Sequence, residues 1–458
     1  MTKKVAFKEF AIYSSLNVLG MIGISVYILA DTFFVAKGMG MVGLAALNLA
    51  LPIYGFIRGI GVMLGMGGAT KYSVLRAQDK SEEANSVFTH TLIATLFMSL
   101  IYVFLGFFLS NHITNLLGAD SEVFEMTQIY LKTLLLGAPI FMLSDMLILF
   151  VRNDRNPRLS MFAMLGGSMS NILLDYIFIF VFKMGIFGAV LATVVSTLLG
   201  ISILFLHFLR KKNNFRIIKT RFSFSLTIKI TALGLPSLIT ELSSSVVLLV
   251  FNLIIVSLAG NVGVAAYGVV ANLSFVVGAI FIGISQGMQP LTSRAHGLGD
   301  KNTIRRLLRF SLITVTIISI IIYILIFFLA GPIAHLFNSE NNPELQQIAI
   351  IGLELYFTAI LFMGFNTITS TFFTSIERPI PAQIISVLKG LVIIIPMAIL
   401  MSSLLGITGV WLSFPASEGI VAIVSLILIL ISRKAWGKHN SDNLLPITPV
   451  LIDPSRKN

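Results

Sequence analysis

The chain has 458 residues, of which 56% are hydrophobic and only 11% are charged, and its mean hydropathy is +0.94. Soluble globular domains carry about 25% charged residues, so this composition excludes an ordinary soluble enzyme or binding domain. The formal net charge is +12 and cysteine is absent, which excludes a disulfide framework and a thiolate metal site. These values predict an all-α polytopic membrane protein.

Apolar runs of at least 18 residues recur along the whole chain, and each is long enough to cross a bilayer. The first run is longer than the core of a signal peptide and no small-residue cleavage site follows it, so it is predicted to remain as the first span. In chain order, the twelve predicted spans are 13–36, 43–69, 88–110, 126–151, 159–182, 186–209, 229–259, 263–290, 308–330, 346–374, 382–403 and 408–432.

Positive charge is distributed unevenly between the two membrane faces. Most of the 32 Lys and Arg residues, including Arg152, fall in segments on one face, whereas the opposite face holds only Lys37 and Lys183. Cytoplasmic segments are enriched in Lys and Arg, so both termini are predicted to be cytoplasmic. The basic residues are spread along one membrane face rather than clustered on one domain, which argues against a nucleic-acid partner.

The two halves of the chain repeat each other. Residues 40–46 (Gly-Met-Val-Gly-Leu-Ala-Ala) recur as residues 260–266 (Gly-Asn-Val-Gly-Val-Ala-Ala), about 220 positions later, and Gly67 falls on Gly287 at the same offset. Each half has an even number of spans, so the halves are parallel repeats, an arrangement typical of transporters with alternating access. The predicted segments are an N-terminal six-helix lobe (1–209), a cytoplasmic connector (210–228), a C-terminal six-helix lobe (229–438) and a cytoplasmic tail (439–458).

Two acidic residues lie deep within predicted spans. Asp31 is in the first span and Asp175 is in the fifth. A charge at that depth is costly, so it usually faces an internal cavity and marks an ion or substrate path. Asn171 precedes Asp175 by four residues and shares its helix face, which offers oxygen ligands to a proton or a hard cation. By helical rise, Asp31, Asp175 and Thr193 all lie about 8–10 Å below the outer surface, as a shared site requires.

Further ionisable residues fall within the spans. Glu241, Glu354 and Glu418 are candidates for a substrate cavity, although each could instead belong to a buried ion pair. Asp145 and Arg58 have matched depths, which predicts an ion pair between them rather than transport chemistry.

Structural interpretations also stay open. Asp31 and Asp175 could each bond to a neighbouring helix, and Asn171 and Thr193 could serve as polar contacts between helices. Lys389 is predicted to extend its ammonium group to the membrane surface.

Several short motifs occur in a specific order. They are residues 30–35 (Ala-Asp-Thr-Phe-Phe-Val), the Asn171-x-x-x-Asp175 pattern, residues 65–67 (Gly-Met-Gly) and residues 286–290 (Gln-Gly-Met-Gln-Pro). With the two six-span halves, they resemble the multidrug and toxic compound extrusion (MATE) family over essentially the whole chain. The resemblance implies a bacterial plasma-membrane transporter with twelve helices in two lobes. Such a transporter expels drugs, often organic cations, in exchange for protons or sodium.

The resemblance also implies a cation site in the N-terminal lobe. The family's first-span Asp falls on Asp31, and its fifth-span Asn and Asp fall on Asn171 and Asp175. Its sixth-span Thr falls on Thr193, with a main-chain carbonyl at Ala189. These residues are expected to hold H⁺ or Na⁺.

Other family features match less directly. Some relatives carry a seventh-span Glu and a tenth-span Asp, for which Glu241 and Glu354 are the candidates here. Many relatives have a proline midway along the first span, whose kink is proposed to follow protonation. This chain has only Gly20 and Gly23 in that region, so a proline-driven bend is not expected.

Motif searches identify no other chemistry. The sequence has no His-Glu-x-x-His and no Gly-x-x-x-x-Gly-Lys-Ser/Thr motif, so no enzyme activity, no cofactor and no ATP dependence are expected. Burial disfavours the charged form of a carboxylate, so Asp31 and Asp175 could take up a proton, with sodium as the rival coupling ion. The expected function is a monomeric secondary antiporter in the lipid bilayer that exports drug-like small molecules.

Three alternatives remain. A flippase of lipid-linked precursors would favour a strongly cationic central cavity, whereas this chain places more acids than bases within its spans. A membrane enzyme would need a catalytic cluster at one interface. A non-transporting scaffold would not need acids at matched depth.

Overall fold

A computed structural model of the protein describes residues 2–338 and 341–438, with only the backbone described for 433–438. Helices form nearly all of this part of the chain. The predicted tail over 439–458 lies outside the described residues.

Three long helices each contain two spans separated by a glycine with positive φ. Only glycine adopts this backbone conformation at little cost, so each glycine allows the helix to break without a loop. The breaks are at Gly40 (φ 64°) in Lys3–Ala77, Gly260 (φ 58°) in Phe224–Gly297 and Gly406 (φ 60°) in Ile394–Lys438.

Contacts between aromatic side chains show that the chain doubles back at two of these glycines. The Tyr27 and Tyr54 hydroxyl oxygens, on either side of Gly40, lie 3.4 Å apart. The rings of Phe251 and Tyr267, on either side of Gly260, stack at 5.6 Å. The repeated glycine segments at 40–46 and 260–266 therefore form equivalent helical hairpins in the two halves.

The other helices complete the membrane domain, and a short helix, Ser110–Leu116, follows the third span. With the three divided helices they give twelve spans in the described part of the chain, which confirms the predicted number and fold class. The remaining helices are Ser81–Phe108; Phe124–Leu136 and Ala138–Asn153, bent by 50°; Pro157–Tyr176, extended by the π-helix Ile177–Val181; Gly185–Leu209; Lys301–Phe337; Pro343–Tyr356 and Ile360–Ser375, joined by the 3-10 turn Phe357–Ala359; and Pro379–Val387, followed by the π-helix Leu388–Val392.

Helix starts follow local sequence signals. Pro157, Pro343 and Pro379 each occupy a first helical position, where proline's missing N–H is not needed. The side chains of Asn156 and Asn342 accept hydrogen bonds from the first backbone N–H groups of their helices. Proline and these caps fix where the fifth, tenth and eleventh spans begin.

The helices extend beyond the predicted apolar runs. The first helix begins at Lys3 rather than residue 13, and the seventh span begins at Phe224 rather than residue 229, capped by Ser223. The connector between Leu209 and Phe224 is therefore shorter than the predicted 210–228. Hydropathy marks the part of a helix inside the bilayer, whereas the helix itself continues into the polar boundary.

The apolar core of each half is formed mostly by residues of that half. The last six spans bury Phe281 and Trp411 in one large cluster. The first six spans bury Phe150 in one cluster and Leu131 in another. This separation is the structural basis of the two six-helix bundles, called here the N-bundle and the C-bundle.

Glycines bring the two bundles into backbone contact. A Cβ at Gly67 would clash with the carbonyl oxygen of Ile230 and lie 3.0 Å from the nitrogen of Gly234. A Cβ at Gly287 would lie 2.7 Å from the nitrogen of Ser14. Gly67 and Gly287 occupy equivalent repeat positions, so the same close crossing occurs twice at the seam between the bundles.

The Gly67→Ala variant tests this crossing. We expect it to lower the free energy of unfolding by about 1–3 kcal/mol, because the added methyl group meets backbone that cannot move without separating the bundles. Gly268→Ala is the matched control, since nothing lies within 4 Å of its Cβ position. Thermal unfolding of the purified proteins measures both, and equal stability of the two variants would contradict the crossing.

Candidate cation site in the N-bundle

Close packing of the first and fifth spans positions Asp31. A Cβ at Gly20 would lie 2.9 Å from the sulfur of Met164, and one at Gly23 would lie 2.6 Å from Leu165. Small residues let helices approach in this way inside a membrane. Asp31 follows Gly23 by eight residues, so it lies on the same helix face and is directed towards the fifth span.

The fifth span presents Asn171 and Asp175 from one helical face. The α-helix gives way to a π-helix at Ile177, immediately after these residues, and such distortions are frequent at functional sites. The Asn171 amide donates to the Thr193 hydroxyl at 3.4 Å, and that hydroxyl donates to the Ala189 carbonyl at 3.3 Å. The sixth span therefore orients Asn171 so that its carbonyl oxygen stays free.

Four buried oxygens of this group have no hydrogen-bond partner in the described part of the chain. They are Oδ1 of Asp31, Oδ1 of Asn171 and both carboxyl oxygens of Asp175. Asp175 is fully buried and Asp31 is 9% exposed, and the two carboxyl groups interact electrostatically. An ionised carboxylate without a partner is costly to bury, so this arrangement favours a neutralised state of the two acids.

Tyr130 is a residue that the sequence reasoning missed. It lies on the fourth span, is buried, and is close enough to Asp31 and Asp175 to interact electrostatically with both. A single tyrosine in an apolar span gives no sequence signal of its own.

A cavity of about 70 Å³ lies beside the site formed by Asp31, Asn171 and Asp175. Asn171 and Thr193 line one part of its wall, and Arg58 and Asp145 line another. About 10–15 Å³ of such space holds one water, so this cavity accommodates several. Arg58 Nε lies 3.6 Å from Asp145 Oδ2, which confirms the ion pair predicted from their depths.

The C-bundle contains a different arrangement of charges. Glu418 is 2% exposed, and its carboxylate accepts a hydrogen bond from Asn366 at 2.7 Å and pairs with Lys389 at 3.3 Å. Lys389 also donates to Thr367 at 3.2 Å. The prediction that Lys389 extends to the membrane surface is therefore wrong, because Glu418 on the twelfth span provides a counter-ion inside the bundle.

A family model described as MatE matches residues 18–177 and 236–400, one segment in each bundle. The chain belongs to the MatE family. The resemblance identified from the sequence motifs is thereby confirmed.

Curated relatives match this MatE protein from end to end. The multidrug export protein MepA of Staphylococcus saprophyticus subsp. saprophyticus is 27% identical over 440 residues, which cover 94% of this chain and 95% of the relative. MepA of Staphylococcus aureus (strain MRSA252) is 24% identical over 435 residues, with the same coverage.

Solved structures share the fold. A crystal structure of a MATE protein in complex with MaL6 matches with a TM-score of 0.90 at 24% identity, covering 94% of this chain and 97% of the other. An outward-facing MATE family multidrug resistance transporter of the MOP superfamily matches with a TM-score of 0.89 at 24% identity and the same coverage. At this identity the likeness establishes the twelve-helix architecture of this MatE protein.

Glu241 and Glu354, predicted to lie in a substrate cavity, are not part of the group formed by Asp31 and Asp175. Glu241 is half-buried on the seventh span, with its Cβ 3.6 Å from the Cβ position of Gly59, so it faces the N-bundle across the seam. It is close enough to Arg58 to interact electrostatically. Glu354 is half-buried on the tenth span, and no ion pair of it is seen among the described residues.

A buried polar network joins the two bundles of this MatE protein near the face that carries the basic segments, called here the basic face. Asn153 and Gln289 exchange hydrogen bonds at 2.9 and 3.2 Å, and Gln289 also donates to Thr70 at 2.9 Å. Arg152 donates to Asn17, and to Gln286 at 2.8 Å.

The position of Arg152 corrects a sequence-based prediction. It was predicted to lie in a loop segment of the basic face, yet it is fully buried at the end of the fourth span. Its Nη1 donates to the amide oxygens of Asn17 and Gln286, from the first and eighth spans, whereas its Nε and Nη2 have no partner in the described part of the chain. Its two partners lie far away in the sequence, so no local pattern indicates them.

The Gln289→Leu variant tests whether this network holds the seam closed. The chain has no native cysteine, so Ser73→Cys, which lies at the seam beside Pro290, serves as a single labelling site. Gln289→Leu removes the bonds to both Asn153 and Thr70. We expect it to speed maleimide labelling of that cysteine by at least about tenfold, because each lost bond of about 1–1.5 kcal/mol corresponds to about that factor. Gln128→Leu, which loses one bond to Ser110 elsewhere, is the control. Equal labelling rates would show that the network does not close the seam.

Proposed function

We propose that this MatE protein is a secondary active antiporter that exports drug-like organic compounds, often cations, in exchange for an ion. The observation that carries the proposal is the buried pair Asp31 and Asp175, whose carboxyl oxygens lack partners in the described part of the chain. Such a pair suits an exchangeable cation better than a structural role. The relatives named multidrug export protein support the class of cargo.

The coupling ion in this proposal is H⁺ or Na⁺, and the chain requires no other cofactor. A proton would neutralise Asp31 or Asp175 directly. A sodium ion would take oxygen ligands from Asp31, Asn171, Asp175 and Thr193, with the Ala189 carbonyl close by. In either case the ion acts on transport only through its different affinity for the two bundle arrangements.

The bundles bring about alternating access by separating on one face while they close on the other. In this structure the seam is closed near the basic face by the Gly67 and Gly287 crossings and by the Gln289 network. Ion entry from the opposite face would weaken drug binding, release the drug there, and allow the bundles to reset. Glu241, Glu354 and Glu418 are the candidates for contacts with cationic cargo, and Glu418 could act there only after leaving Lys389.

Transport by purified protein in proteoliposomes tests the function and separates the two ions. We expect efflux of a cationic dye such as ethidium when an inward gradient of either H⁺ or Na⁺ is imposed, and no efflux without a gradient. Collapse of the proton gradient at constant sodium identifies H⁺ as the ion if efflux stops. No gradient-driven efflux of any tested dye would contradict the proposal.

The proposed location is a bacterial plasma membrane, with the basic face and both chain ends in the cytoplasm. The protein is proposed to work as a monomer, to catalyse no chemical reaction and to bind no nucleic acid. In intact cells, an impermeant maleimide should label Met41→Cys, which lies in the exposed turn after Gly40. It should label Lys212→Cys, in the connector, only after permeabilisation. The reverse pattern would invert the topology.

The cavity favours efflux over lipid-precursor flipping. The base that lines the 70 Å³ cavity, Arg58, is paired with Asp145, and Asp31 and Asp175 add negative charge nearby. A pyrophosphate headgroup would need the opposite sign of charge.

A further inference from the structure

A groove on the basic face lies beside the start of the ninth span. It has a volume of about 380 Å³ and is lined by Arg305, Leu308, Arg309, Leu312 and Ile313. The two arginines are four residues apart, so their guanidinium groups lie on one side of the helix. Both are exposed, and neither has an ion-pair or hydrogen-bond partner among the described residues. The groove thus combines an apolar floor with two free positive charges.

Asp300 and Glu9, two acids on the basic face, each bind other groups. Asp300 caps the ninth span, accepting hydrogen bonds from the Thr303 backbone at 2.9 Å and the Thr303 hydroxyl at 2.6 Å. These bonds lower the pKa of Asp300 to about 2. The Glu9 carboxylate oxygen Oε2 lies 3.9 Å from Nη1 of Arg294. Neither acid lines the groove, so its positive charge stays available to an outside anion.

The start of the first helix adds basic residues beside the groove. The Phe7 ring packs edge-on against Phe310 at 5.4 Å, which places this part of the N-bundle against the ninth span of the C-bundle. Lys3 and Lys4 precede Phe7 by four and three residues and so lie on the same face of the first helix. Lys3 and Lys4 therefore add positive charge to the same membrane face as the ninth-span arginines.

The surface above the groove, towards the membrane interior, is aliphatic. Ile317, Ile320, Ile321 and Ile324 continue along the ninth span from Ile313, and each is about half exposed. Such a surface within a membrane contacts acyl chains, so the groove opens directly onto lipid.

We propose that this groove binds an anionic phospholipid, with the phosphate held by Arg305 and Arg309 and the acyl chains along the isoleucine surface. Arginine binds phosphate through paired N–H groups, and basic residues at the membrane surface attract anionic headgroups. A free phosphate ion would satisfy the arginines but would leave the apolar floor and the adjoining isoleucines unused. All five lining residues belong to the ninth span, so the bound lipid would neutralise the positive charge of Arg305 and Arg309 on the C-bundle.

Native mass spectrometry of the full chain tests the proposal. The protein is purified in mild detergent and titrated with phosphatidylglycerol or, separately, with phosphatidylcholine of the same chain length. We expect retention of phosphatidylglycerol over phosphatidylcholine, and about 30-fold weaker phosphatidylglycerol binding by Arg305→Gln/Arg309→Gln, since each basic residue near the surface contributes about fivefold. Arg216→Gln/Arg221→Gln, which removes two exposed connector arginines, is the matched control and should bind as the unmodified protein does.

Three outcomes would overturn the proposal. One is equal phosphatidylglycerol binding by the Arg305/Arg309 variant and the control. Another is equal retention of phosphatidylcholine by the unmodified protein. The third is competition by millimolar inorganic phosphate that removes all bound lipid, which would identify the groove as a site for a free anion. None of these outcomes depends on whether the chain transports drugs.

Discussion

Replacing Asp175 by asparagine is expected to abolish gradient-driven dye efflux while leaving the protein folded. Asparagine has nearly the same shape, but it cannot carry the charge that both partnerless oxygens of Asp175 supply. A contact to a charged group is worth about 1.5–3 kcal/mol, which corresponds to about a 10- to 150-fold loss of ion affinity. Ethidium efflux from cells expressing equal amounts of each protein measures the loss.

Two further variants sharpen this prediction. Asp31→Asn should give the same loss, and the double variant should be no worse than either single variant, because both carboxylates serve one site. Glu122→Gln, an exposed loop substitution, should transport normally. Full efflux from Asp175→Asn at unchanged expression would remove the site assignment.

Replacing Lys389 by methionine is expected to destabilise the C-bundle by about 3–5 kcal/mol. The change removes the counter-ion of Glu418, which is almost fully buried and would then be left with the Asn366 amide as its remaining neutral donor. Thermal unfolding of the purified variant measures the effect. Lys389→Met/Glu418→Gln should recover most of the loss, because the double variant leaves no uncompensated charge.

A matched control and a transport assay complete this test. Lys132→Met removes a half-buried span lysine for which no partner is seen in the described residues, and it should cost less than about 1 kcal/mol. In the Lys389→Met/Glu418→Gln protein, any efflux should still depend on the ion gradient, since the coupling proposed here belongs to the N-bundle. Weaker dye binding by this variant would identify Glu418 as a cargo contact. Undiminished stability of Lys389→Met would show that the pair is not structural, and loss of efflux in the double variant would make it part of the transport cycle.

The sequence was sufficient to predict the architecture because its signals are local. A span needs a continuous apolar run, and the repeat at 40–46 and 260–266 can be read directly from the chain. Asp31 and Asp175 could be singled out in the same way, since a carboxyl group within such a run is costly wherever its partners lie. The ion pair of Arg58 and Asp145 followed from depth alone.

Partners that lie far apart in the sequence could not be predicted where matched depth did not indicate them. Lys389 forms an ion pair with Glu418 on the next span. Arg152 is buried and donates to Asn17 and Gln286, which come from the first and eighth spans. Hydropathy and charge counts assign such residues to the membrane surface because surface exposure is the cheapest state of an isolated base. Packing between helices supplies the compensation that makes burial possible.

The glycines of the first span have a role that the sequence alone did not indicate. The absence of a midway proline indicated only that a proline-driven bend should not occur. The structure gives Gly20 and Gly23 a separate role, since both permit contact with Met164 and Leu165 on the fifth span. That contact brings Asp31 towards Asp175, so these glycines help to form the acidic group without lining it.

Ion release on drug binding by the purified protein tests the central claim most directly. Ethidium is added to the protein in weakly buffered solution, and released protons or sodium are measured with a pH indicator or a sodium electrode. The unmodified protein should release H⁺ or Na⁺ as ethidium binds, whereas Asp31→Asn/Asp175→Asn should bind ethidium and release neither. Equal ion release by the double variant would contradict a cation site formed by these two carboxylates.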